Sequence, residues 1–495
     1  MQNLRGKRAL VMGLGINGGG LGVTRFLAGQ GADVTVTDLR DATVLKPSLD
    51  QLRGLPVRYV LGQHCEEDFR SADLVIRNPG VPRESPYLAL AREHGAQIEM
   101  EMTLFFRLCP GPILGITGTR GKTTTTLLAG EILTAQFPDT VVAGNLRVSA
   151  VEQLPRITPS TPVVLELSSW QLEGLGEAGL SPQYACVTNL SPDHLDRYGS
   201  MEEYGEAKKQ IFLHQRPERG DVVVLNADDP IVSRWADDAA RSRHTAWFST
   251  RLRNRVETLY LTSLCHSEAT GHLADGRTLG TAWWDGETLR WNDEPICEQR
   301  DLQILGEHNR ANVAAAVALA KVYRPAVGNQ AILQAVRSFR GAPDRLEFVR
   351  EIGGVRFIND TTATAPAATI AALKTIDAPV LLIAGGADKR LDFEPMVEAI
   401  AEGVREQERN REGRSVKGVL LLAGTATPRL AAALEVANVH PIGPFDSLEA
   451  AVGRAYELAQ PGDVVLLSPG CASFGMFVNE FDRGERFRQT VAALR

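Results

Sequence analysis

Short apolar runs alternate with longer amphipathic stretches along almost the whole chain. The runs have the length and composition of buried strands, and the stretches between them repeat their apolar positions with the period of a helix. This alternation is typical of parallel sheets covered by helices. The predicted strands are 8–12, 33–37, 74–76, 113–117, 163–166, 185–188, 222–226, 355–358, 380–383, 418–422 and 464–467.

Two breaks divide this pattern. The first group of strands ends near Pro110, and the breaker cluster Gly341-Ala342-Pro343 precedes the last group. Because 495 residues favour about three domains, we predict an α/β protein with domains at 1–110, 111–340 and 341–495. Alternating aromatic pieces between about 250 and 305 predict an antiparallel insertion before a helix that starts near Asn309.

Charge and cysteine content narrow the range of functions. With 53 Lys and Arg against 60 Asp and Glu, the net charge of -7 offers no broad cationic surface, so we expect no nucleic-acid partner. The six cysteines form no C-x-x-C pair, which favours a reduced compartment. No apolar h-region follows the charged residues 1–8 and no later stretch offers about 20 apolar residues, so we expect a cytoplasmic protein without a leader or a membrane partner. We also expect a monomer.

A glycine-rich segment follows the predicted strand 113–117 and precedes a helical stretch. Its sequence, Thr117-Gly-Thr-Arg-Gly-Lys-Thr-Thr124, predicts a strand, a turn and a helix whose backbone N–H groups cradle phosphate. The usual spacing has glycine where Ile116 stands, so the match is to a shorter variant. We predict ATP binding; the alternative is a turn that holds no ligand. The predicted nucleotide-binding residues here are Gly118, Thr119, Gly121, Lys122, Thr123 and Thr124.

A second glycine-rich loop, Gly13-Leu-Gly-Ile-Asn-Gly18, follows the first predicted strand, and Asp38 ends the next one. This pattern is typical of loops that bind a nucleoside diphosphate, with the acid on a ribose hydroxyl. It does not specify nicotinamide. NAD, another nucleotide and an empty turn remain open at this point.

Two further strand ends carry polar groups. Glu166 ends the strand after the phosphate loop, where it could share Mg²⁺ with Thr123. The segment from Asn189 to Tyr198 packs His194, two aspartates and an arginine into one loop. Such a cluster is costly to desolvate without a ligand, which favours a functional site.

Together these segments resemble the Mur ligase family, the ATP-dependent enzymes that add amino acids during peptidoglycan synthesis. The resemblance rests on the phosphate loop and on four further motifs: Glu166-Leu-Ser-Ser, Asn189-x-x-x-Asp193-His194-x-Asp196, Gly306-x-His308-Asn309-x-x-Asn312 and Asp344-Arg345-Leu346-Glu347. Their order and separations match across essentially the whole chain. The resemblance implies Rossmann-like first and last domains around a central ATPase-like domain with a phosphate loop.

Within the family, three C-terminal segments most resemble a member that adds D-glutamate to UDP-N-acetylmuramoyl-L-alanine. They are 359–364, Gly385-Gly386-x-x-Lys389 and Ser468-Pro469-x-Cys471-Ala472-Ser473. The resemblance implies that one set of side chains binds ATP: Asn309, Asn312, Arg345 and Asp360. It implies that another set binds the UDP-linked precursor and glutamate: Ile16, Asn17, Asp38, Asn78, Asn145, Thr364, Lys389 and Ser473.

The resemblance also implies a modified lysine and magnesium. In the family a lysine is carbamylated and bridges Mg²⁺ ions; Lys208 matches it best, and the adjacent Lys209 is the alternative. Two Mg²⁺ ions are expected, held by Thr123, Glu166, His194 and carbamylated Lys208. Lys122, His194 and Lys208 are the expected catalytic residues.

One position departs from the family pattern. Thr362 stands where the family usually has lysine, so one cation near the incoming amino acid is missing. This leaves L-glutamate or another amino acid as an alternative to D-glutamate. Two interpretations from other classes are an NAD-dependent dehydrogenase, supported by the first glycine loop alone, and a nucleotide-dependent switch, supported by the phosphate loop alone.

Overall fold

The structure is a computed structural model. It describes residues 4–15, 19–146, 148–193, 197–239, 244–250, 277–304, 306, 308–389, 391–409 and 413–494. The chain forms two compact units, residues 1–301 with 310–337 and residues 302–309 with 338–495. Three separate sheets of mainly parallel strands confirm the predicted α/β class.

The first sheet belongs to the N-terminal part of the first unit. Its five parallel strands lie in the order β3-β2-β1-β4-β5. The strands are β1 (Arg8–Met12), β2 (Asp33–Asp38), β3 (Val57–Leu61), β4 (Leu74–Arg77) and β5 (Gln97–Glu99). The helices are α1 (Gly19–Gly29), α2 (Ala42–Gln51), α3 (Glu66–Ser71), α4 (Pro86–Glu93) and α5 (Glu101–Leu108).

The second sheet has nine described strands in the order β14-β13-β12-β11-β10-β9-β6-β8-β7. They are β6 (Ile113–Thr117), β7 (Val141–Gly144), β8 (Val163–Glu166), β9 (Tyr184–Val187), β10 (Val222–Asn226), β11 (His244–Ser249), β12 (Arg277–Asp285), β13 (Thr288–Trp291) and β14 (Glu294–Glu298). Its α-helices are α6 (Lys122–Thr134), α7 (Ser169–Glu177), α8 (Met201–Leu213), α9 (Ala236–Ala239), α10 (His308–Tyr323) and α11 (Asn329–Ser338). Short 3₁₀ helices span Val151–Arg156, Pro217–Arg219, Val232–Trp235 and Gln299–Asp301.

Strands β12 to β14 pair antiparallel, as their alternating pattern predicted, and they extend the edge of the second sheet. The part of the predicted insertion at 251–276 lies outside the described residues. The inner strands of this sheet are buried on both faces: every residue of β6, β8 and β10 is buried. Strands that are buried on both faces have continuously apolar sequences. These apolar runs are the signal from which the strands were predicted.

The third sheet forms the second unit, with six described strands in the order β15-β16-β20-β17-β18-β19. They are β15 (Glu347–Ile352), β16 (Val355–Asn359), β17 (Pro379–Ala384), β18 (Ser415–Leu422), β19 (Ile442–Phe445) and β20 (Val464–Leu467). Strand β15 alone among them pairs antiparallel. The helices are α12 (Pro366–Thr375), α13 (Glu394–Glu408), α14 (Thr427–Val436), α15 (Leu448–Leu458) and α16 (Glu480–Ala493).

Apolar clusters on the two faces of the third sheet form the core of the second unit. In the first unit, one continuous cluster runs from the first sheet into the second. Across the described part of the chain, no helix is long and apolar enough to cross a lipid bilayer. The predicted domain limits near 110 and 340 stay predictions.

Candidate functional site

The phosphate loop has the predicted strand, turn and helix. Strand β6 leads through 118–121 into α6, and Thr124 lies in its first turn. Gly118 and Gly121 have φ of 145° and 81°, a region that favours glycine. A Cβ on Gly118 would lie 1.9 Å from the Thr188 hydroxyl oxygen. Glycine is therefore required at 118 by both backbone angle and space.

The segment after β9 supports this loop. Asn189 accepts a hydrogen bond from the Arg120 amide at 3.0 Å and donates one to the Arg120 carbonyl at 2.9 Å. Thr188 donates to the same carbonyl at 2.6 Å. The Thr119 hydroxyl donates to the Ser191 carbonyl at 3.2 Å and accepts from the Ser191 amide at 3.0 Å. These bonds fix the loop backbone in one conformation.

A hydroxyl and a carboxylate meet beside the loop. The Thr123 hydroxyl donates to Glu166 Oε2 at 2.7 Å, and the Asn145 amide donates to Glu166 Oε1 at 3.0 Å. Glu166 is only 3 % exposed. The structure thus brings together Thr123 and Glu166, as the sequence predicted, and adds Asn145 to them.

This pair suits Mg²⁺, which takes oxygen ligands and usually shares them with substrate phosphates. Among the described residues, no group of three or more His, Cys, Asp or Glu side chains gathers as a metal centre. The described side chains therefore offer few ligands for Mg²⁺. Phosphate oxygens of a bound substrate would have to complete its coordination shell. His194, another predicted ligand, lies outside the described residues, whereas its neighbour Asp193 is described.

Lys208 and Lys209 of α8 point to different surroundings. Lys208 is 1 % exposed, and its ammonium group donates to the Gly118 carbonyl at 2.9 Å. Burial, reinforced by the charge of Lys122, lowers the pKa of Lys208 to about 7. Lys209 instead pairs with Glu206 and Asp238, each at 2.7 Å. The structure therefore places Lys208, and not Lys209, against the phosphate loop.

Lys122, the first residue of α6, folds back over the same loop. Its ammonium group donates to the carbonyls of Gly118 and Thr119 at 3.1 and 3.0 Å. The Gly118 carbonyl therefore accepts from Lys122 and from Lys208. A Cβ on Gly121 would lie 2.1 Å from Asn312 Oδ1, which places the Asn312 side chain over the end of the loop.

Asp38, the last residue of β2, accepts hydrogen bonds from the first glycine loop and from Arg40. Asp38 accepts from the Gly15 amide at 3.2 Å and from two nitrogens of the Arg40 side chain at 3.1 and 3.0 Å. Burial would raise the pKa of Asp38, but the hydrogen bonds from Arg40 and Gly15 outweigh burial and lower it. Ile16 and Asn17 lie outside the described residues. Sequence reasoning missed Arg40, although an arginine two residues after a strand-end aspartate could have signalled it.

Two neighbouring cavities adjoin this loop. The first, of about 350 Å³, is lined by Gly13, Asn78 and Asn145 among others. The second, of about 470 Å³, extends from Gly15 and Arg40 to Lys122 and Lys208. Asn78 and Asn145 line both. Asn78 and Asn145, two of the predicted precursor residues, therefore line space that leads from the first glycine loop to the phosphate loop.

The second unit contains the remaining predicted residues. Burial raises the pKa of Asp360 to about 7, although a hydrogen bond from Ser468, one from the Leu346 amide and the charge of Arg345 oppose the rise. Asn309 is the second residue of α10, and its backbone amide donates to the Gly306 carbonyl at 3.0 Å. The contacts described for Arg345 do not indicate where a ligand would bind.

The predicted amino-acid-binding residues lie on three loops of this unit. Lys389 donates to the Thr364 hydroxyl at 3.0 Å. The Ser473 hydroxyl is buried and has no hydrogen-bond partner within the described structure. Thr362, at the position of the family lysine, donates to the Asp344 carbonyl at 2.8 Å. A buried hydroxyl without a partner is a site that a ligand can satisfy.

Fold and site define a class: an α/β protein with a phosphate loop, a buried carboxylate beside that loop and a second nucleotide-type loop. Family models match three segments: Mur ligase MurD-like N-terminal domain at 7–99, Mur ligase middle domain at 116–320 and Mur ligase glutamate ligase domain at 344–471. The chain belongs to the Mur ligase family of ATP-dependent ligases.

Named relatives agree with this assignment. A UDP-N-acetylmuramoylalanine–D-glutamate ligase of Roseiflexus sp. (strain RS-1) is 56 % identical over 495 residues, covering 99 % of each chain. The ligase of the same name from Symbiobacterium thermophilum is 38 % identical over 493 residues, covering 99 % of this chain and 98 % of the relative. The UDP-N-acetylmuramate–alanine ligase of Thermotoga maritima has a similar fold, with a TM-score of 0.57 and 18 % identity over 98 % of this chain and 99 % of its own.

Proposed function

We propose that this Mur ligase joins D-glutamate to UDP-N-acetylmuramoyl-L-alanine and converts ATP to ADP and phosphate. The observation that carries the proposal is the 56 % identity to the Roseiflexus ligase of that name over nearly the full length of both chains. The space between the two glycine loops suits a precursor with a nucleotide at one end and a reacting carboxylate at the other. The reaction uses ATP and a UDP-linked sugar, so we place it in the cytoplasm, and we expect a monomer.

The proposed chemistry passes through an acyl phosphate. The terminal carboxylate of the precursor attacks the γ-phosphorus of ATP and ADP leaves; the glutamate amine then attacks the acyl carbon and phosphate leaves. Lys122 would neutralise charge on the transferring phosphoryl group, a role that suits its position at the start of α6. Bound Mg²⁺ would neutralise phosphate charge from the side of Thr123 and Glu166.

Lys208 takes part in this proposal as a carbamate. The lysine ammonium first loses a proton, and the neutral amine then adds to the carbon of CO₂. This step forms an N–C bond, opens one C=O double bond to a carboxylate and releases a second proton, so a cation becomes an anion. Burial and the charge of Lys122 lower the pKa of Lys208 to about 7, which favours the neutral amine. A carbamate at Lys208, with His194 as a further ligand, would supply the oxygen and nitrogen donors that two Mg²⁺ ions need beyond Thr123 and Glu166.

Further residues would bind the three substrates. Asn309, Asn312, Arg345 and Asp360 would contact ATP together with the loop residues 118–124. Thr364, Lys389 and Ser473 would hold the carboxylates of glutamate, and the unpartnered hydroxyl of Ser473 supports this. Ile16, Asn17, Asp38, Asn78 and Asn145 would contact the precursor.

The alternative within the family is a different amino acid. Thr362 supports this alternative. Its hydroxyl donates to a backbone carbonyl, whereas the lysine of the family at this position would supply a positive charge. A single charged hydrogen bond is worth roughly 1.5 to 3 kcal/mol, enough to change affinity but not the class of reaction. Family membership leaves the dehydrogenase and the nucleotide switch without support.

An amino-acid panel tests the proposed function. The purified protein is mixed with ATP, Mg²⁺ and UDP-N-acetylmuramoyl-L-alanine, and each amino-acid enantiomer is added in turn while ADP is measured. We expect D-glutamate to give the largest kcat/KM and equal amounts of ADP and ligated product. Greater activity with L-glutamate or another amino acid would show that the alternative is correct.

A substitution at the first glycine loop tests the precursor site. Asp38→Ala should raise KM for the precursor between a few-fold and about a hundredfold, because one or more hydrogen bonds to a charged group are lost. KM for ATP should not change, since energy lost from uniform binding of one substrate appears in that substrate's KM. Initial rates at varied precursor and varied ATP measure both constants.

Two controls accompany this substitution. Asp38→Asn keeps the shape of the side chain, and melting curves show whether each variant is folded after losing the Arg40 ion pair. A selective rise in KM for ATP would contradict the assignment. Thermal protection of the wild type by NAD would contradict it as well, because a bound ligand stabilises by RT ln(1 + [L]/Kd).

A further inference from the structure

The short turn 344–346, which carries Arg345, has an unusual backbone. Asp344 and Leu346, on either side of Arg345, have φ of 66° and 43°. Left-handed backbone is uncommon for residues other than glycine, and it is especially unfavourable for a bulky side chain such as leucine. Such a conformation persists only where the surrounding structure imposes it. The contacts around Arg345 must therefore compensate for an unfavourable backbone.

Two carboxylates meet beside this turn. Glu347, the first residue of β15, accepts from the Asp344 backbone amide at 2.8 Å. The side-chain amide of Asn359 donates to Asp344 Oδ1 at 2.9 Å and to Glu347 Oε2 at 3.0 Å. The carboxylates of Asp344 and Glu347 therefore lie close together, where their negative charges repel each other. A nearby cation stabilises this arrangement.

Arg488 of α16 supplies that cation. Its Nη1 lies 2.9 Å from Asp344 Oδ1 and 2.8 Å from Glu347 Oε2. Helix α16 can come this close because residue 484, one turn earlier, is glycine: a Cβ there would lie 2.0 Å from Asp344 Oδ1. Glu485 accepts from Nε of Arg488 at 3.0 Å and limits the movement of the guanidinium. Arg488 therefore bridges the two carboxylates from a fixed position.

The other side of the turn is bonded to the loop that follows β16. The Leu346 amide donates to Asp360 Oδ1 at 3.2 Å. The Asp344 carbonyl accepts from the amide of Thr362 at 3.1 Å and from its hydroxyl at 2.8 Å. Arg345 itself is exposed. The backbone is thus held on both sides of a residue that remains accessible.

We propose that Arg488 is a positioning residue for Arg345: it joins the carboxylates of Asp344 and Glu347 and so holds the turn in its left-handed conformation. This rests on the proposed function, which assigns Arg345 to ATP. Without Arg488 the two carboxylates repel each other, the turn can relax to negative φ, and the direction of Arg345 changes. A guanidinium whose backbone is already fixed loses less entropy when it binds phosphate.

A double-mutant cycle tests this inference. Arg488→Met removes the charge but keeps a long unbranched side chain, and we expect kcat/KM for ATP to fall about tenfold. Arg345→Ala should lower it between roughly tenfold and a hundredfold, because hydrogen bonds to a charged group are lost. The double variant should match Arg345→Ala within about twofold, since Arg488 acts through Arg345. Initial rates at varied ATP, with the other two substrates saturating, measure these constants.

Three further measurements separate positioning from general stability. Arg488→Lys keeps a positive charge and should lose less than about threefold. Arg454→Met removes an exposed ion pair with Glu457 from α15 and should leave kcat/KM for ATP unchanged. KM for the precursor should stay within about twofold in every variant, and melting curves show that each is folded. Arg488→Gln, which keeps a hydrogen-bond donor without the charge, replaces Arg488→Met in the cycle if the latter does not fold, and the same result is required.

The outcomes separate this inference from the proposed function. If the wild type shows no ATP-dependent ligation of the UDP-muramoyl precursor, both fail. If it ligates and Arg488→Met keeps its kcat/KM for ATP, only the positioning role is wrong. Losses of the single variants that multiply in the double variant would also overturn that role, because they would show that Arg345 and Arg488 act independently. An unimpaired Arg345→Ala beside an impaired Arg488→Met would overturn it as well.

Discussion

Lys122→Ala should lose almost all ligation activity at saturating ATP. The ammonium group stands at the start of α6, next to the loop carbonyls of Gly118 and Thr119. A cation in this position is worth several kcal/mol when charge moves onto the transferring phosphoryl group, so kcat should fall by a hundredfold or more, roughly. The measurement is the rate of ADP and product formation with all three substrates saturating.

Two controls make the Lys122 result decisive. Lys46→Ala removes an equally large cation from an exposed pair with Asp50 and should leave the rate unchanged. Binding of the UDP-linked precursor to Lys122→Ala, measured by calorimetry, should persist and show that the variant is folded. Retention of more than about a tenth of the activity, a loss under roughly 1.4 kcal/mol, would contradict the assigned role.

The phosphate loop could be predicted from the sequence because its signal is local. An apolar strand, glycines with positive φ and a lysine at a helix start lie within one short segment. The bonds that hold the loop could not be predicted in the same way. Thr188 and Asn189 reach it only because β9 is the direct neighbour of β6 in the sheet, and strand order is a property of the whole fold.

The first glycine loop was predictable in position but not in its contacts. Two glycines of α1, which follows the loop, are required for packing: a Cβ on Gly20 would lie 2.2 Å from the Leu14 carbonyl, and one on Gly22 would lie 2.2 Å from the Ser149 hydroxyl. The sequence offered Asp38 as a ribose acceptor, whereas the structure shows it already bonded to Arg40 and Gly15. A ligand there meets an ion pair, not a lone carboxylate.

The sequence alone could not decide which of Lys208 and Lys209 faces the phosphate loop. Adjacent residues on a helix point about 100° apart, so only packing of α8 decides which lysine faces the loop. Lys209 forms ion pairs with Glu206 and Asp238 near the surface, and these two carboxylates offset its charge. Lys208 is buried beside Lys122, and burial together with the charge of Lys122 lowers its pKa and favours the neutral amine.

Lys208→Ala should be nearly inactive and should recover part of its activity with a small carboxylate such as acetate. Acetate can occupy the space of the proposed carbamate and restore an oxygen donor, whereas chloride at the same ionic strength cannot. The measurement is ligation rate against acetate concentration, with Lys209→Ala as the matched control that should remain active. Rescue by acetate distinguishes the loss of an oxygen donor from misfolding, because added acetate cannot restore the fold of a misfolded variant. A fully active Lys208→Ala beside an inactive Lys209→Ala would transfer the carbamate to Lys209, against the burial of Lys208 and its bond to the Gly118 carbonyl.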